Sequence, residues 1–178
     1  TRIAFTIAKD VKNEEHFNRA TVAQYRLIGY ETRALNRDDF DNDKVDAGDV
    51  GSGQSVTALY EIVPLGGPRT MEVSRYSPEI VAVNSVRNPN NPSARELGFV
   101  KIRYKLPKSD TSRLITTPIN HSLEVASFDA APRDARLATA VAGFAELLRG
   151  GRYNGSLNFD DVVRIANNAR GPDEYGYR

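Results

Sequence analysis

A change in the spacing of apolar residues near residue 125 constrains the possible fold more than any other feature of this sequence. Before that point apolar and polar residues alternate, most clearly in "LGFVKIRYKLP". Successive side chains of a strand point to opposite faces, so this segment predicts a strand with one buried and one hydrated face. The predicted inward residues are Val100, Ile102, Tyr104 and Leu106, and the predicted outward residues are Lys101, Arg103 and Lys105.

Four other segments before residue 125 also have the texture of strands. They are "IAFTIAKDV", with Ile3, Phe5 and Ile7 on one side, "VAQYRLIGYET", "SVTALYEIVPL" and "RLITTPI". The links between them are rich in Gly, Pro, Asn and Asp, as is typical of antiparallel connections. We therefore expect antiparallel β-structure in this part of the chain.

After residue 125 the apolar spacing becomes helical. One helix is predicted near residues 132–149 and a second near residues 159–169, capped by Asn158 and ended by Gly171-Pro172. In the first helix an apolar stripe recurs at spacings of four, three and four residues, and we expect it to be buried against the β-layer. The stripe consists of Leu137, Val141, Phe144 and Leu148.

Strands followed by a helical pair define an α+β fold. We predict an antiparallel β-sheet or sandwich in the first two-thirds, followed by a C-terminal helical pair. A chain of 178 residues most often forms one domain, so residues 1–178 are predicted to be a single domain, β-rich over 1–125 and helical over 126–178.

Composition argues against several classes of function. The net charge of +1 provides no field that would attract nucleic acid, and the sequence contains no cysteine for disulfides or thiolate metal sites. No apolar run approaches the roughly 18 residues of a membrane-spanning helix. The chain begins at Thr1 without a signal-peptide pattern, and we expect it to be part of a longer polypeptide.

The stretch "DDFDNDKVDAGDVGSG" places six aspartates within residues 38–49 and is the strongest candidate for a site. An EF-hand calcium loop needs glycine at position 6 and glutamate at position 12. Counted from Asp39, those positions hold Lys44 and Val50. We therefore interpret the loop as a surface connection without a tight metal site, leading into a strand near Ser55. A looser calcium site would use Asp39, Asp41, Asp43, Asp46 and Asp49.

No other pattern predicts catalysis. Neither of the two histidines, His16 and His121, has a second histidine or a carboxylate at helical ligand spacing, so a triad or zinc site would need long-range contacts. The string "GSGQS" matches neither a dinucleotide fingerprint nor a hydrolase elbow. We interpret the stripe of Lys101, Arg103 and Lys105 as the hydrated face of a strand.

Several segments together resemble a known family. They are "FTIAKDVK", "YRLIGYETR", "DFDNDKVDAGDVGSGQSVTALYEIVP", "LGFVKIRYK", "FAELLRG" and "ARGPDEYGYR". These segments are similar to the C-terminal region of bacterial von Willebrand factor type A proteins of the YfbK type. The resemblance implies that a von Willebrand A domain precedes this region in a secreted or lipid-anchored envelope protein, and it transfers no catalytic residue. Residues 13–16, "NEEH", depart from the alternation expected there, so the pattern leaves the length and register of the first strand open.

We therefore expect a non-catalytic accessory domain that supports protein–protein or adhesive contacts at the cell envelope. Its expected partners are the parent protein's von Willebrand A domain and other proteins, with no nucleic acid, no direct membrane insertion and no cofactor other than loosely bound calcium. The alternatives are a metal-dependent hydrolase or a calcium-stabilised adhesive module, each using the acidic loop at residues 38–49.

Overall fold

The computed structural model describes residues 5–29, 35–68, 95–151 and 153–172. These residues form two compact units. The first contains residues 5–26, 35–56, 62–68 and 95–123, and the second contains residues 27–29, 57–61, 124–151 and 153–172. The chain passes from the first unit to the second after Leu123, beside the predicted change from strand to helix. The single-domain assignment stays a prediction.

Strands occupy the first two-thirds of the described chain and two helices follow, which confirms the predicted α+β class. The strands are β1 (Thr6–Phe17), β2 (Val22–Ile28), β3 (Gly48–Gly51), β4 (Leu59–Pro64), β5 (Glu96–Lys105) and β6 (Ser112–Asn120). One sheet has four strands in the order β3-β1-β5-β6, with antiparallel pairing throughout, and a second sheet pairs β2 with β4.

Strand β1 runs without a break through residues 13–16, which decides the length and register that the sequence pattern left open. Asn13 through His16 each pair with a residue of β5, from Ile102 to Phe99. The ladder is made by backbone groups, so four polar side chains do not end it. Ile3 lies outside the described residues, and the neighbouring Phe5 and Ile7 are more than half exposed.

Two details of the strands beyond residue 45 differ from the prediction. The acidic stretch contains the short strand β3, which pairs with β1. The next strand, β4, begins at Leu59 instead of near Ser55, and Val56 is 84% exposed. Strand β3 has the sequence Gly-Asp-Val-Gly and contains one bulky apolar side chain. A single apolar residue cannot show an alternating pattern, so the sequence did not reveal this strand.

The helices are α1 (Arg133–Leu148) and α2 (Phe159–Ala169), close to the predicted bounds. Asn158 forms a capping box with Asp161: its side chain accepts from the Asp161 N–H at 3.0 Å, and its N–H donates to the Asp161 carboxylate at 3.4 Å. Gly171 follows α2 with φ of +67°, a left-handed conformation that glycine adopts without strain. Neither described helix is long and apolar enough to cross a membrane.

Helix α1 packs against α2 through its small residues, which makes the predicted buried stripe of α1 wrong. Ala140 is 2% exposed, and a Cβ added to Gly143 would lie 2.7 Å from Leu157 Cδ2. From α2, Val162 and Ala169 are buried. Small side chains allow the helices to approach closely, so the face of α1 that packs is displaced from its largest apolar side chains. Those side chains are exposed by 46–66% at Val141, Phe144 and Leu148, while Leu137 is half-buried.

Candidate functional site

The pairing of β1 with β5 brings basic side chains together on one face of the four-stranded sheet. Lys9 lies opposite Lys105, and Lys12 lies opposite Arg103. Like charges directly opposite each other destabilise a strand pair. This face therefore requires anions or carbonyl oxygens, and the acidic loop at residues 38–49 supplies them.

Lys12 is the most deeply placed cation of this face, with 3% of its surface exposed. Its Nζ donates hydrogen bonds to the backbone oxygens of Asp39, at 2.9 Å, and Asn42, at 2.6 Å. A buried ammonium is stable only when its donors are satisfied. The backbone of the loop, and not only its carboxylates, therefore stabilises the charge of Lys12.

Lys105 and Arg103 bind the loop at Asp43. Lys105, 7% exposed, donates to the Asp43 backbone oxygen at 2.7 Å and forms an ion pair with Asp10 Oδ2 at 2.7 Å. Arg103 donates through Nε and Nη2 to Asp43 Oδ1, at 3.1 and 2.9 Å, and the Ser112 hydroxyl donates to the same oxygen. The prediction that Lys101, Arg103 and Lys105 form a hydrated face is wrong, because Lys105 is buried and Arg103 is held by the loop.

Asp10 joins the loop to the sheet through an irregularity in β1. Its φ is +52°, and the pairing of β1 with β5 shifts between Lys9 and Lys12. This conformation is tolerated by aspartate better than by most residues, and a bulge redirects the side chain. The Asp10 carboxylate accepts from the Ala47 N–H at 3.4 Å, and its own N–H donates to Asp49 Oδ1 at 3.3 Å. We call Asp10, Lys12, Arg103, Lys105 and the acidic loop at residues 38–49 the charge cluster.

The pKa shifts within the charge cluster favour the charged forms. The hydrogen bond from Lys105 lowers the pKa of Asp10 against the smaller opposing effect of burial, and the same bond raises the pKa of Lys105. Hydrogen bonds from Ser112 and then Arg103 lower the pKa of Asp43. These groups therefore stay ionised over a wide pH range.

A second group of charges surrounds Glu14 beside the cluster. Lys101 Nζ and His16 Nε2 both lie 3.0 Å from Glu14 Oε2, and Arg37 Nε lies 3.7 Å from Oε1. Burial favours the neutral acid, but the neighbouring His16 and Lys101 together outweigh it and lower the pKa of Glu14. Lys101 also lies 5.6 Å from the ring centroid of Phe40, which is 6% exposed. Phe40 thus anchors the start of the acidic loop.

The five candidate calcium ligands do not converge on one point in the structure. Asp43 binds Arg103, and Asp41 binds the same guanidinium at 3.4 Å. Asp49 accepts a hydrogen bond from the Asp10 N–H, and Asp39 accepts one from the Asn36 side chain at 3.4 Å. Asp46 is exposed. Within the described ranges, no three His, Cys, Asp or Glu side chains are grouped so that they could hold a metal ion.

Sequence reasoning missed Asp10 and Lys12 as partners of the acidic loop. A signal was present, because the aspartates of residues 38–49 and the alternating cations at Lys101, Arg103 and Lys105 are complementary in charge. It did not identify which cations face the loop. That depends on the pairing of β1 with β5, whose residues are about 90 positions apart in sequence.

These features define a class: an α+β domain whose acidic loop is fixed to one face of an antiparallel sheet by basic side chains. Residues 3–178 match the family described as "Uncharacterized protein YfbK, C-terminal". The chain belongs to this family.

A curated relative supports the assignment. The protein named "Uncharacterized protein YfbK" of Escherichia coli strain K12 is 36% identical over 177 residues, which cover 99% of this chain and 29% of that protein. The chain thus spans less than a third of the length of this relative. No solved structure matches the chain.

Proposed function

We propose that this chain is a non-catalytic accessory domain of a longer bacterial von Willebrand factor type A protein, and that it contacts other protein surfaces. The resemblance supports a parent protein at the cell envelope, either secreted or lipid-anchored. The observation that carries the proposal is an exposed apolar surface on the helical pair, which we call the exposed helix face. It consists of Val141, Phe144, Leu148, Phe159 and Val163.

The exposed helix face has the chemistry of a contact surface. Its members are 46–66% exposed, and the rings of Phe144 and Phe159 meet edge to face with centroids 6.1 Å apart. Single exposed apolar residues are common on proteins, but adjacent ones on two packed helices form a patch, and such patches mark interaction sites. Because α1 packs against α2 through its small residues, its large side chains remain available to a partner.

The direction of the pKa shifts supports a non-catalytic role. A general acid or base works best when its pKa lies near the pH of the reaction. The pKa values of Asp10, Glu14 and Asp43 are lowered and that of Lys105 is raised, so all four move away from neutrality. Such shifts are typical of ion pairs that stabilise a fold.

The same contacts count against both alternatives. A hydrolase or a calcium-stabilised module based on residues 38–49 needs carboxylates that converge on an ion. Asp43 instead binds Arg103 and Ser112, and the backbone oxygens of Asp39 and Asn42 bind Lys12. A metal would have to displace these cations.

The partner we propose for the exposed helix face is the von Willebrand A domain of the same polypeptide. The E. coli relative is more than three times as long as the matched region, so most of such a protein lies outside it. A surface tethered to its partner experiences a high effective concentration, so a modest apolar patch is sufficient for contact.

The test measures binding between this chain and the separately produced von Willebrand A domain of its parent protein by calorimetry. A double variant, Val141→Ser with Val163→Ser, is expected to bind at least tenfold more weakly. The matched control is Val125→Ser, because Val125 is 47% exposed in the same unit but lies outside the helices. Circular dichroism checks that each variant is folded. Equal affinity for the double variant and the control, or no binding of the unmodified chain at ~1 mM, the effective concentration of a short flexible tether, would refute the proposal.

A further inference from the structure

The turn between α1 and α2 contains the only Asn-Gly pair of the sequence, Asn154-Gly155. The Leu157 N–H donates to the Asn154 backbone oxygen at 2.9 Å, and this hydrogen bond closes a β-turn over residues 154–157. Gly155 is the second residue of the turn and has φ of +56°, a left-handed conformation that favours glycine. The turn therefore explains why a residue without a side chain follows Asn154.

This pair has the chemistry of a spontaneous modification site. Asparagine is thermolabile because the backbone nitrogen of the next residue, after losing its proton to base, attacks the side-chain carbon Cγ. A side chain on the attacking residue hinders that approach, and glycine has none. Asn154 and Gly155 thus place the electrophile and the nucleophile on adjacent residues, and the only other reactant is water.

Neither reacting group is held by a hydrogen bond within the part of the chain that the structure describes. The Gly155 N–H has no acceptor there, and Asn154 Nδ2 is buried without a partner. A buried donor without a partner costs free energy, so the loss of this amino group removes an unfavourable contribution. Gly155 and Ser156 are exposed, so base and water reach the turn.

Asn158 lies four residues further along and differs in each of these respects. Its side-chain oxygen accepts from the Asp161 N–H at 3.0 Å, and the bulky Phe159 follows it. The capping box therefore holds the side chain of Asn158 away from the reaction. Asn158 is a matched internal control for Asn154.

We propose that Asn154 is a site of spontaneous deamidation. The Gly155 nitrogen forms a bond to Asn154 Cγ, the bond from Cγ to Nδ2 breaks, and Nδ2 leaves as ammonia, which gives a cyclic succinimide. Water then opens the ring at either carbonyl carbon and gives aspartate or isoaspartate. The net change exchanges the amino group for a hydroxyl group from water, without oxidation or reduction.

The isoaspartate product should loosen the packing of α1 against α2. It lengthens the backbone between residues 154 and 155 by a methylene group, within the turn that is closed at Leu157. Leu157 packs against α1 at a residue without a side chain, since a Cβ added to Gly143 would lie 2.7 Å from Leu157 Cδ2. Closely packed side chains transmit small displacements, so a change in the turn reaches the helix contact. This modification needs no partner protein and is independent of the proposed function.

The first test is peptide mapping by mass spectrometry after the folded chain has been aged in mildly alkaline buffer. Trypsin cleaves after Arg152 and Arg164 and releases one peptide, "YNGSLNFDDVVR", which contains both Asn154 and Asn158. Conversion should accumulate at Asn154 and not at Asn158, and it should be slower in mildly acidic buffer. Because turns open locally at little cost in free energy, the folded chain should convert at most about tenfold more slowly than the same peptide aged alone. Slower conversion than this, or equal conversion at both asparagines, would overturn the proposal.

The second test compares variants. Gly155→Ala should slow the conversion both in the chain and in the peptide, so a variant that fails to fold still reports on the chemistry. An unchanged rate in the peptide would show that the Gly155 nitrogen is not the nucleophile.

The third test is thermal melting before and after ageing. The aged chain, in which isoaspartate is identified by chromatography of the tryptic peptide, should melt at a lower temperature than the fresh chain. Asn154→Gln should melt at the same temperature before and after ageing, because glutamine must form a larger ring and reacts more slowly. An unmodified chain that keeps its melting temperature after complete conversion would overturn the inference that the turn controls the helix contact.

Discussion

Replacing Phe40 with alanine tests whether the acidic loop is part of the folded core. Phe40 is 6% exposed and its ring lies beneath Lys101 Nζ at 5.6 Å. Burying such a side chain contributes about 1.5–3 kcal/mol, and the cation–π contact about 0.5–1 kcal/mol. The cavity adds to the loss, but a surface loop relaxes into it more easily than a helix or strand does. We expect Phe40→Ala to lower the free energy of unfolding by about 3 kcal/mol, the lower end for a buried phenylalanine.

The assay is urea unfolding followed by circular dichroism. With an m-value of about 2 kcal/mol per molar, a loss of 3 kcal/mol lowers the urea midpoint by about 1.5 M. The matched control is Phe5→Ala, because Phe5 is 71% exposed in the same unit, and its midpoint should barely change. If the two units unfold in separate steps, only the step of the first unit should move. Equal midpoints for the two variants would refute the argument that Phe40 anchors the loop.

Three further predictions concern the charge cluster and the helices. The carboxylates of Asp10, Glu14 and Asp43 have lower pKa values in the folded chain than in the unfolded chain, so they stabilise the fold at neutral pH. That stabilisation is lost as the pH falls through the folded-state pKa values. The raised pKa of Lys105 also stabilises the fold, and its contribution is lost only as the pH rises through its folded-state pKa. The urea midpoint should therefore decrease as the pH is lowered, and it should decrease less for Asp43→Asn than for the unmodified chain. An equally steep decrease for both would contradict this. Val162→Ala should cost about 1.5–3 kcal/mol and Phe144→Ala about 1 kcal/mol, reversing the order suggested by the apolar stripe, and the same urea assay checks both. Calorimetric titration with calcium should show no micromolar binding, and such binding would make residues 38–49 a metal site.

Local patterns in the sequence were sufficient for most secondary structure. Alternation identified β5 and β6, and a capping residue with a glycine after the helix located α2. These signals act within one strand or one helical turn, so they are present in any short window. They failed for β3, which contains one bulky apolar residue, and they left the length of β1 open at residues 13–16, where backbone pairing continues beneath polar side chains.

The helix face could not be read from the sequence because two packing solutions were available to α1. Its large apolar side chains and its small ones lie on neighbouring stripes, and both are consistent with the period of a helix. The choice of Ala140 and Gly143 depends on how closely α2 approaches, which Leu157 and Val162 determine. Close approach requires small side chains on the facing helix, so the partner decides the face.

The sequence by itself determined the α+β class, the family and the presence of an acidic loop that is not an EF-hand. Only the tertiary structure decided what that loop does. The aspartates of residues 38–49 have no fixed partners until β1 pairs with β5 and places Lys12 opposite Arg103. A charge interacts with whatever lies within a few ångströms, and sequence separation carries no information about that distance. The loop therefore became a partner of the sheet when pairing of distant strands concentrated positive charge beneath it.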